Sequence, residues 1–485
     1  MMNNKLCHCF FGILLLGIMT ACTEKKEPVR QLMSEADLSG VILTTSAGTY
    51  YDQKYSGRDD LTLFRVNAEA DAIQALRQGK ADVFVTDEVA LNKEARERLN
   101  VSLAFLGEEY FDVAFAVRTG NEVLLEQMNR FLAASKADGS LDAVISHWLH
   151  GTPAPEFPSQ ALESSTSALR CITATNLEPV CFLADGGEWQ GMDADILRRF
   201  SIWSGRPFEM KFQDFGSAIV ALSTGQCDIV TACLFITEER KKSVDFTIPY
   251  YKCHPGYFVR NTEQKTNLSL TERLKMNLIT ERRWKLITDG LLETLKITLL
   301  SILLGTILGA GICACRRSSR KWLRSLAGLY GDFINGMPTL VLLLIMFYVI
   351  FAQTGLDAST VAIITFALCF ASSAGSIFDT AISSVPVGQT EAGLSLGFTP
   401  FKTFTGIVFP QALQKGLSLY TGECVSLLKS TSIVGYIAIQ DLTRASDLIR
   451  SRTFDALVPL LVVTILYFAL AWVIRFVLNL FLKKK

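Results

Sequence analysis

Hydrophobic positions change their rhythm near residue 290. Before it, short apolar runs alternate with amphipathic stretches, the pattern of strands and helices in α/β protein. Residues 171–174 and 227–233 read as strands, 193–203 and 216–224 as helices, with a turn at Asp185-Gly186-Gly187. After it come five long apolar segments near 290–314, 327–352, 360–383, 417–440 and 456–482, each about the length of a bilayer core. Three stretches fit neither pattern. Residues 1–22 run from basic Lys5 through an apolar core at 10–19 to small residues before Cys22, the layout of an export signal. Residues 152–168 are rich in Pro, Ser and Thr and read as a linker. Residues 263–289 are basic and amphipathic and predict an interfacial helix leading into the apolar half; a solvated linker helix is the alternative.

Charge and cysteine change this picture little. The chain has 485 residues with 47 Lys and Arg against 47 Asp and Glu, so a nucleic-acid footprint is not indicated. Its 12 cysteines form no recurring C-x2-C pair, and Cys171, Cys181, Cys227, Cys233 and Cys253 read as buried thiols, with a disulfide left open. Thr20-Ala21-Cys22 resembles a bacterial lipoprotein cleavage box, which implies acylation of Cys22; an uncleaved signal anchor is the alternative. Either way the next domain is expected outside the cytoplasm. That places Arg316, Arg317, Arg320, Lys321 and Arg324 inside, with the Lys483-Lys484-Lys485 tail, as the positive-inside tendency asks. The basic stretch before the first span, and Arg444, Arg450 and Arg452, all placed outside, strain it.

Between the third and fourth apolar segments lies EAGLSLGFTPFKTFTGIVFP, residues 391–410. Glu391, Ala392, Gly397, Ile407 and Pro410 hold fixed offsets, with Gly393 and Phe409 departing from an E-A-A and Leu-Pro pattern. The stretch resembles the cytoplasmic coupling loop of ABC importer membrane subunits. The resemblance implies a charged contact at Glu391 and a turn at Gly397, a rigid handle for a soluble ATPase. GDFINGMPTLVLLL, LLKSTSIVGYIAIQDLTRASD and SRTFDAL are similar to the five-span polar amino-acid permeases. That family often carries Tyr, Glu and Arg in its third span, where this chain has Ser373, Ser376 and Asp379.

The soluble part carries a second resemblance. GMDADILRRF and GQCDIVTACLFITEERKKSVDFTIPYY, within 169–262, are similar to the first lobe of periplasmic amino-acid-binding proteins, family 3. DLSGVILTTSAGTYYD, ALRQGKADVFVTDEVA and FLAASKADGSLDAVISHWLHG, within 30–151, are similar to the second lobe and its return segment. The lobes stand in inverted order. The expected fold is therefore a two-lobed α/β binding domain, circularly permuted, followed by an all-α five-helix transmembrane permease domain over 290–485. Two degenerate halves are the alternative. Permutation is easy where native termini meet at the surface.

A free amino acid needs a fixed cation, a fixed anion and apolar walls. By resemblance, Arg240 forks the α-carboxylate, as its planar donors suit; the alternative is a surface pair with Glu238 or Glu239. Thr49 follows Gly48 at a turn that caps the same carboxylate; a plain turn is the alternative. Asp87 matches the acid that binds the α-ammonium; a helix N-cap ahead of Glu88 is the alternative. Phe182 and Phe215 stand where ligand-sandwiching groups are expected, or are core residues. Cys233 and Phe235 occupy positions where Gly, Ser or Thr usually help hold the carboxylate. In the apolar half, Asp379, Glu423 and Lys429 are candidates for a translocation path, or for interface residues.

These features predict an importer subunit of a bacterial inner membrane, multi-pass, with its binding domain on the periplasmic side. The chain has no G-x4-GK-[ST] loop, so no nucleotide cofactor is expected in it. ATP and Mg²⁺ would act in a partner, a cytoplasmic ABC ATPase dimer, and the family pore implies a second permease subunit, expected to be the same chain. The other readings are a ligand-gated channel, in which Ile433-Val434-Gly435-Tyr436 is similar to part of a potassium filter but is followed by Ile437, and a membrane-anchored sensor without transport.

Overall fold

The computed structural model describes residues 32–157, 168–176, 178–184, 187–261 and 269–480. The leader with Cys22, most of the expected linker, and the Asp185-Gly186 part of the expected turn lie outside the described residues.

Up to residue 150 the strands are β1 (Ile42–Ser46), β2 (Thr62–Val66), β3 (Val83–Asp87), β4 (Val101–Leu106), β5 (Phe111–Val113) and β6 (Ala116–Arg118). From residue 169 come β7 (Leu169–Thr173), β8 (Phe182–Leu183), β9 (Trp189–Gln190), β10 (Phe208–Phe212), β11 (Ile229–Thr231), β12 (Val244–Phe246), β13 (Tyr251–Cys253) and β14 (Pro255–Arg260). They build two five-stranded sheets, ordered β2-β1-β3-β14-β4 and β10-β7-β11-β6-β12. In each, three parallel strands are joined by crossover helices, and one antiparallel strand arrives from the other segment. We name the first sheet and its helices lobe 2 and the other lobe 1.

The stretch 169–262, read from sequence as one lobe, yields its last strand to the other sheet. β14 pairs with β3 through Pro255↔Asp87 to Val259↔Val83, because its Tyr257 and Phe258 complete the apolar interior of lobe 2. In return β6 pairs with β11 in lobe 1. The ribbon β5–β13 joins the two crossings. Helix Met192–Ser204 buries Ile196, Leu197 and Phe200 on lobe 1 at helical spacing and ends at left-handed Gly205.

The apolar half is helical. Among the described residues three helices are long and apolar enough to cross a membrane, Trp284–Arg316, Ala358–Ser383 and Leu457–Leu480. Lys321–Asn335 and Thr339–Ile350 make a fourth only as a pair bent by 101°. Two of the five expected apolar segments are not single straight helices. The segment 327–352 breaks at Gly336-Met337-Pro338, since proline removes a backbone donor and disfavours helix before it. The segment 417–440 is a helix only as far as Ser430, the end of Phe409–Ser430, whose apolarity Lys415, Glu423 and Lys429 lower, and Thr431–Ile437 winds as a 3-10 helix. A 3-10 turn is not an extended carbonyl cage, so the filter-like tetrapeptide makes no filter.

The region expected to form an interfacial helix is broken into short pieces. The described part of 263–289 is a short helix, Leu270–Leu274, a π turn, and a kink at Glu281 and Arg282. Arg273 pairs with Asp455 at 2.5 Å, and Asn277 donates to the same carboxylate. The connector is pinned to protein, and Trp284 opens the first long helix.

Candidate functional site

The carboxyl ends of parallel strands from both sheets face each other across a cleft of about 820 Å³, partly open to solvent. Ligands of parallel α/β sheets gather at such ends. β1 leads into Ser46 and Thr49, β3 ends at Asp87, β7 leads into Thr175 and Asn176, and β11 leads into Cys233.

Arg240 lines this cleft, half-buried. Its guanidinium stacks over the Phe215 ring at 4.7 Å and donates to the Phe235 carbonyl at 3.1 Å. Among the described residues no carboxylate lies within ion-pair distance of it; Glu238 pairs with Lys241 instead. Burial lowers its pKa, and Asp87 is the leading opposing charge.

Asp87 stands before the turn Glu88–Ala90 but does not cap it. Its carboxylate accepts from the Tyr51 hydroxyl at 2.8 Å. Burial pushes its pKa up to about 8, against the pull of that hydrogen bond and of Arg240. A carboxyl held this way, with no cation in contact among the described residues, is a place for an ammonium group, whose charge favours the ionised form.

Thr49 is an N-cap: its hydroxyl donates to the Ser46 carbonyl at 2.7 Å and accepts from Asp52 N–H at 3.4 Å, after a left-handed Gly48. Ser46 Oγ, buried on the same wall, has no hydrogen-bond partner among the described residues. Phe215 and Phe235 are walls of the cleft, Phe235 stacking on Phe111 with centroids 4.6 Å apart. Phe182 does not line it. That ring lies beneath the Arg452 guanidinium at 4.2 Å and edge-on to Trp148, because β8 pairs with β9 behind the cleft wall.

Three groups were not singled out from sequence. Glu69 accepts from Thr86 of its own lobe at 3.1 Å and from Thr175 of the other at 2.7 Å, a hydrogen bond across the cleft. Burial raises its pKa. Tyr51 orients Asp87. Asp193 is fully buried and accepts from Thr231 Oγ1, from Tyr250 at 2.7 Å and from Cys233 N–H at 3.3 Å. Burial raises its pKa too. It supports the Cys233 backbone in a left-handed conformation, φ 49°, that a non-glycine residue seldom adopts. The signal for Asp193 was a carboxylate inside GMDADI just ahead of the apolar helix face; Glu69 and Tyr51 had none. All five cysteines of this domain are buried free thiols.

At the far end of helix Ala358–Ser383, helix Val387–Ser395 carries Glu391 and Ala392, both exposed, and turns at Gly397 with φ 82°. The departure Gly393 has a steric reason: a Cβ there would come within 2.6 Å of Thr403 Cγ2. Pro410 sits in the first turn of helix Phe409–Ser430. Asp379 pairs with Arg317 at 3.0 Å at a helix end. Glu423 is half-buried and Lys429 exposed, and among the described residues neither forms an ion pair.

A two-lobed cleft lined by Arg240 and by the carboxyl groups of Asp87, Glu69 and Asp214, joined to a bundle of apolar helices, defines a solute-binding domain fused to a membrane permease. The bacterial extracellular solute-binding proteins, family 3, match residues 169–415, just over half of the chain, and the chain belongs to that family. L-cystine transport system permease protein TcyB of Bacillus subtilis is 33% identical over 214 residues, 44% of this chain and 90% of that protein. A putative glutamine transport system permease protein GlnP of Rickettsia typhi is 26% identical over 200 residues, 41% of this chain and 92% of its own. A crystal structure of an amino acid ABC transporter with histidines covers 44% of this chain and 98% of its own, at 30% identity and a TM-score of 0.40. The chain is thus a fused binding-protein and permease component of an amino-acid ABC importer.

Proposed function

We propose that the interlobe cleft captures one amino acid, with Arg240 on its α-carboxylate and Asp87 on its α-ammonium. The observation that carries this is the cleft's charge: the Arg240 guanidinium on lobe 1 and the Asp87 carboxyl on lobe 2 line it together, and among the described residues neither forms an ion pair. Ser46 Oγ and Thr49 add polar contacts to the carboxylate, and Phe215 and Phe235 enclose the side chain. Phe182 has no place in this reading. Relatives named for L-cystine and glutamine make these two the first ligands to try.

The lobe order is a circular permutation, with residues 152–168 joining what would otherwise be the termini of lobe 1. The permease pairs with a second copy of itself, and its loop 384–416 is the handle of a cytoplasmic ATPase dimer that carries ATP and Mg²⁺. Exposed Val387, Leu396 and Phe401 beside Glu391 support that docking role. Glu423 and Lys429 belong to the translocation path, whereas Asp379 serves the helix end. One helix supports the sidedness: Asp357 and Ala358 border the binding domain at the start of Ala358–Ser383, and the loop follows its other end, about 39 Å away for 26 residues at 1.5 Å each. The binding domain then faces the periplasm, the loop the cytoplasm, and Cys22 carries the lipid.

Calorimetric titration of the whole chain in lipid nanodiscs, with each common amino acid and cystine, tests the capture step. Saturable binding of at least one, lost in Arg240→Ala and Asp87→Asn, is the expected result. Unchanged affinity in both variants would overturn the site.

A further inference from the structure

The helix Leu442–Thr453 belongs to the permease by sequence, yet along its length it touches the binding domain. Its Arg450 pairs with Asp71 of lobe 2 at 3.0 Å. Its Arg452 pairs with Glu178 of lobe 1 at 2.8 Å, and its Arg444 reaches Asp214 of lobe 1 at 3.5 Å while stacking over Phe212 at 4.4 Å. Asn176 of lobe 1 donates to the Leu448 carbonyl and to Ser451, and Ser451 lines the cleft itself. Leu448 is buried in the apolar core that both lobes share.

The opposite end is tied to the membrane helices. Asp441 caps the helix through Thr443 N–H and Arg444 N–H and accepts from Tyr467 of Leu457–Leu480 at 3.3 Å. Leu442 N–H donates to Thr294 of Trp284–Arg316 at 3.0 Å. Gly290 lets those two backbones meet, since a Cβ there would lie 2.7 Å from the Asp441 carbonyl. A rigid rod therefore runs from two membrane helices into the mouth of the cleft.

We propose that this helix is the permease's sensor of lobe closure. Asp71 and Glu178 lie on different lobes, so one short helix satisfies both only when the lobes stand at the separation seen here. Opening the cleft breaks one set of contacts and leaves a partly desolvated arginine with its remaining partner alone, Asp447 at 3.0 Å for Arg450 or Glu281 at 3.5 Å for Arg452, which disfavours it. Ser451 adds a permease hydroxyl to the chamber wall, so an occupied cleft and a docked helix are read at the same place. The arginines that strained the charge rule of the outer loops are thereby accounted for: their partners are carboxylates of the receptor. The Ser451 part rests on the cleft being the amino-acid site; the closure contacts do not.

Two readouts on the full chain in nanodiscs test this. In the first, cysteine pairs at 71 and 450 and at 178 and 452 are oxidised and mapped by mass spectrometry, with no ligand needed. Cross-links in both pairs support the sensor, whereas a cross-link to one lobe alone, or to neither, overturns it. In the second, affinity for whichever of L-cystine, L-glutamine or the other amino acids binds is measured in Asp71→Arg, Arg450→Asp and the double swap. The expected result is a loss of about fivefold or more in each single variant and recovery in the swap. Singles that bind as the parent does, or a folded double swap that does not recover, overturn it. If no amino acid binds the parent chain, the substrate reading fails and the cross-links alone decide the sensor.

Discussion

Tyr51 holds Asp87 by a hydroxyl-to-carboxylate hydrogen bond of 2.8 Å, and this is the sole hydrogen bond from a side chain that the Asp87 carboxylate receives among the described residues. The pair sets the protonation of the binding cleft. Burial keeps the folded pKa near 8 against an ordinary 3.8, so at pH 7 the empty site mostly holds a proton. An incoming ammonium needs the anion. Binding at pH 7 should therefore release close to one proton, and affinity should rise roughly tenfold per pH unit from 6 to 7. Titration in buffers of different ionisation enthalpy measures the release, and Asp87→Asn should abolish it along with most of the affinity.

The same shift makes a stability prediction of defined sign. The folded chain binds a proton at Asp87 that the unfolded chain gives up between pH 3.8 and 8. This contribution is complete below about 3.8 and is lost as pH rises through about 8. Glu69 and Asp193, also raised by burial, add in the same direction. Thermal unfolding of the ligand-free protein should show a midpoint that falls between pH 6 and 8.5, less steeply in Asp87→Asn.

Removing the Tyr51 hydroxyl isolates its role. Tyr51→Phe keeps the ring packing against Phe235 and deletes the hydrogen bond that favours the Asp87 anion, the form an ammonium ligand needs. Such bonds contribute about 1.5–3 kcal/mol, so affinity should fall by at least tenfold with little change in unfolding temperature.

Asp193 should act on stability, not on charge. Asp193→Ala leaves the Thr231 and Tyr250 hydroxyls and the Cys233 N–H without their acceptor in a dry interior. The expected cost is about 2–3 kcal/mol, read from denaturant unfolding of the binding domain's signal in the full chain.

The coupling loop can be tested by steric complementation. Gly393→Ala should push against Thr403 and lower ATP-driven uptake, and Thr403→Ala in the same chain should restore part of it. Glu391→Lys should lower uptake with ligand affinity unchanged. Uptake at parental level in Glu391→Lys would remove this residue from the handle.

How much of this was legible in the chain divides along a physical line. Apolar periodicity, the fixed offsets around Glu391 and Gly397, and the residue chemistry of Arg240 and Asp87 are local properties, written within a few residues of each other, and they suffice to name a two-lobed binding domain and a membrane domain. Pairing between distant segments is not local. No short pattern says that β14 leaves its own segment to sit between β3 and β4, that Phe182 faces Arg452 instead of the cleft, or that Glu69 reaches Thr175 from 106 positions away. The bend of 101° was half written, in Gly336 and Pro338, but its angle depends on what the two arms pack against. The three arginines of Leu442–Thr453 looked like misplaced charge in the sequence because a charge count sees only its own loop. Asp71, Asp214 and Glu178 balance them, and only the folded chain brings those carboxylates near, since burial and pairing, not position along the chain, decide which partner a side chain finds.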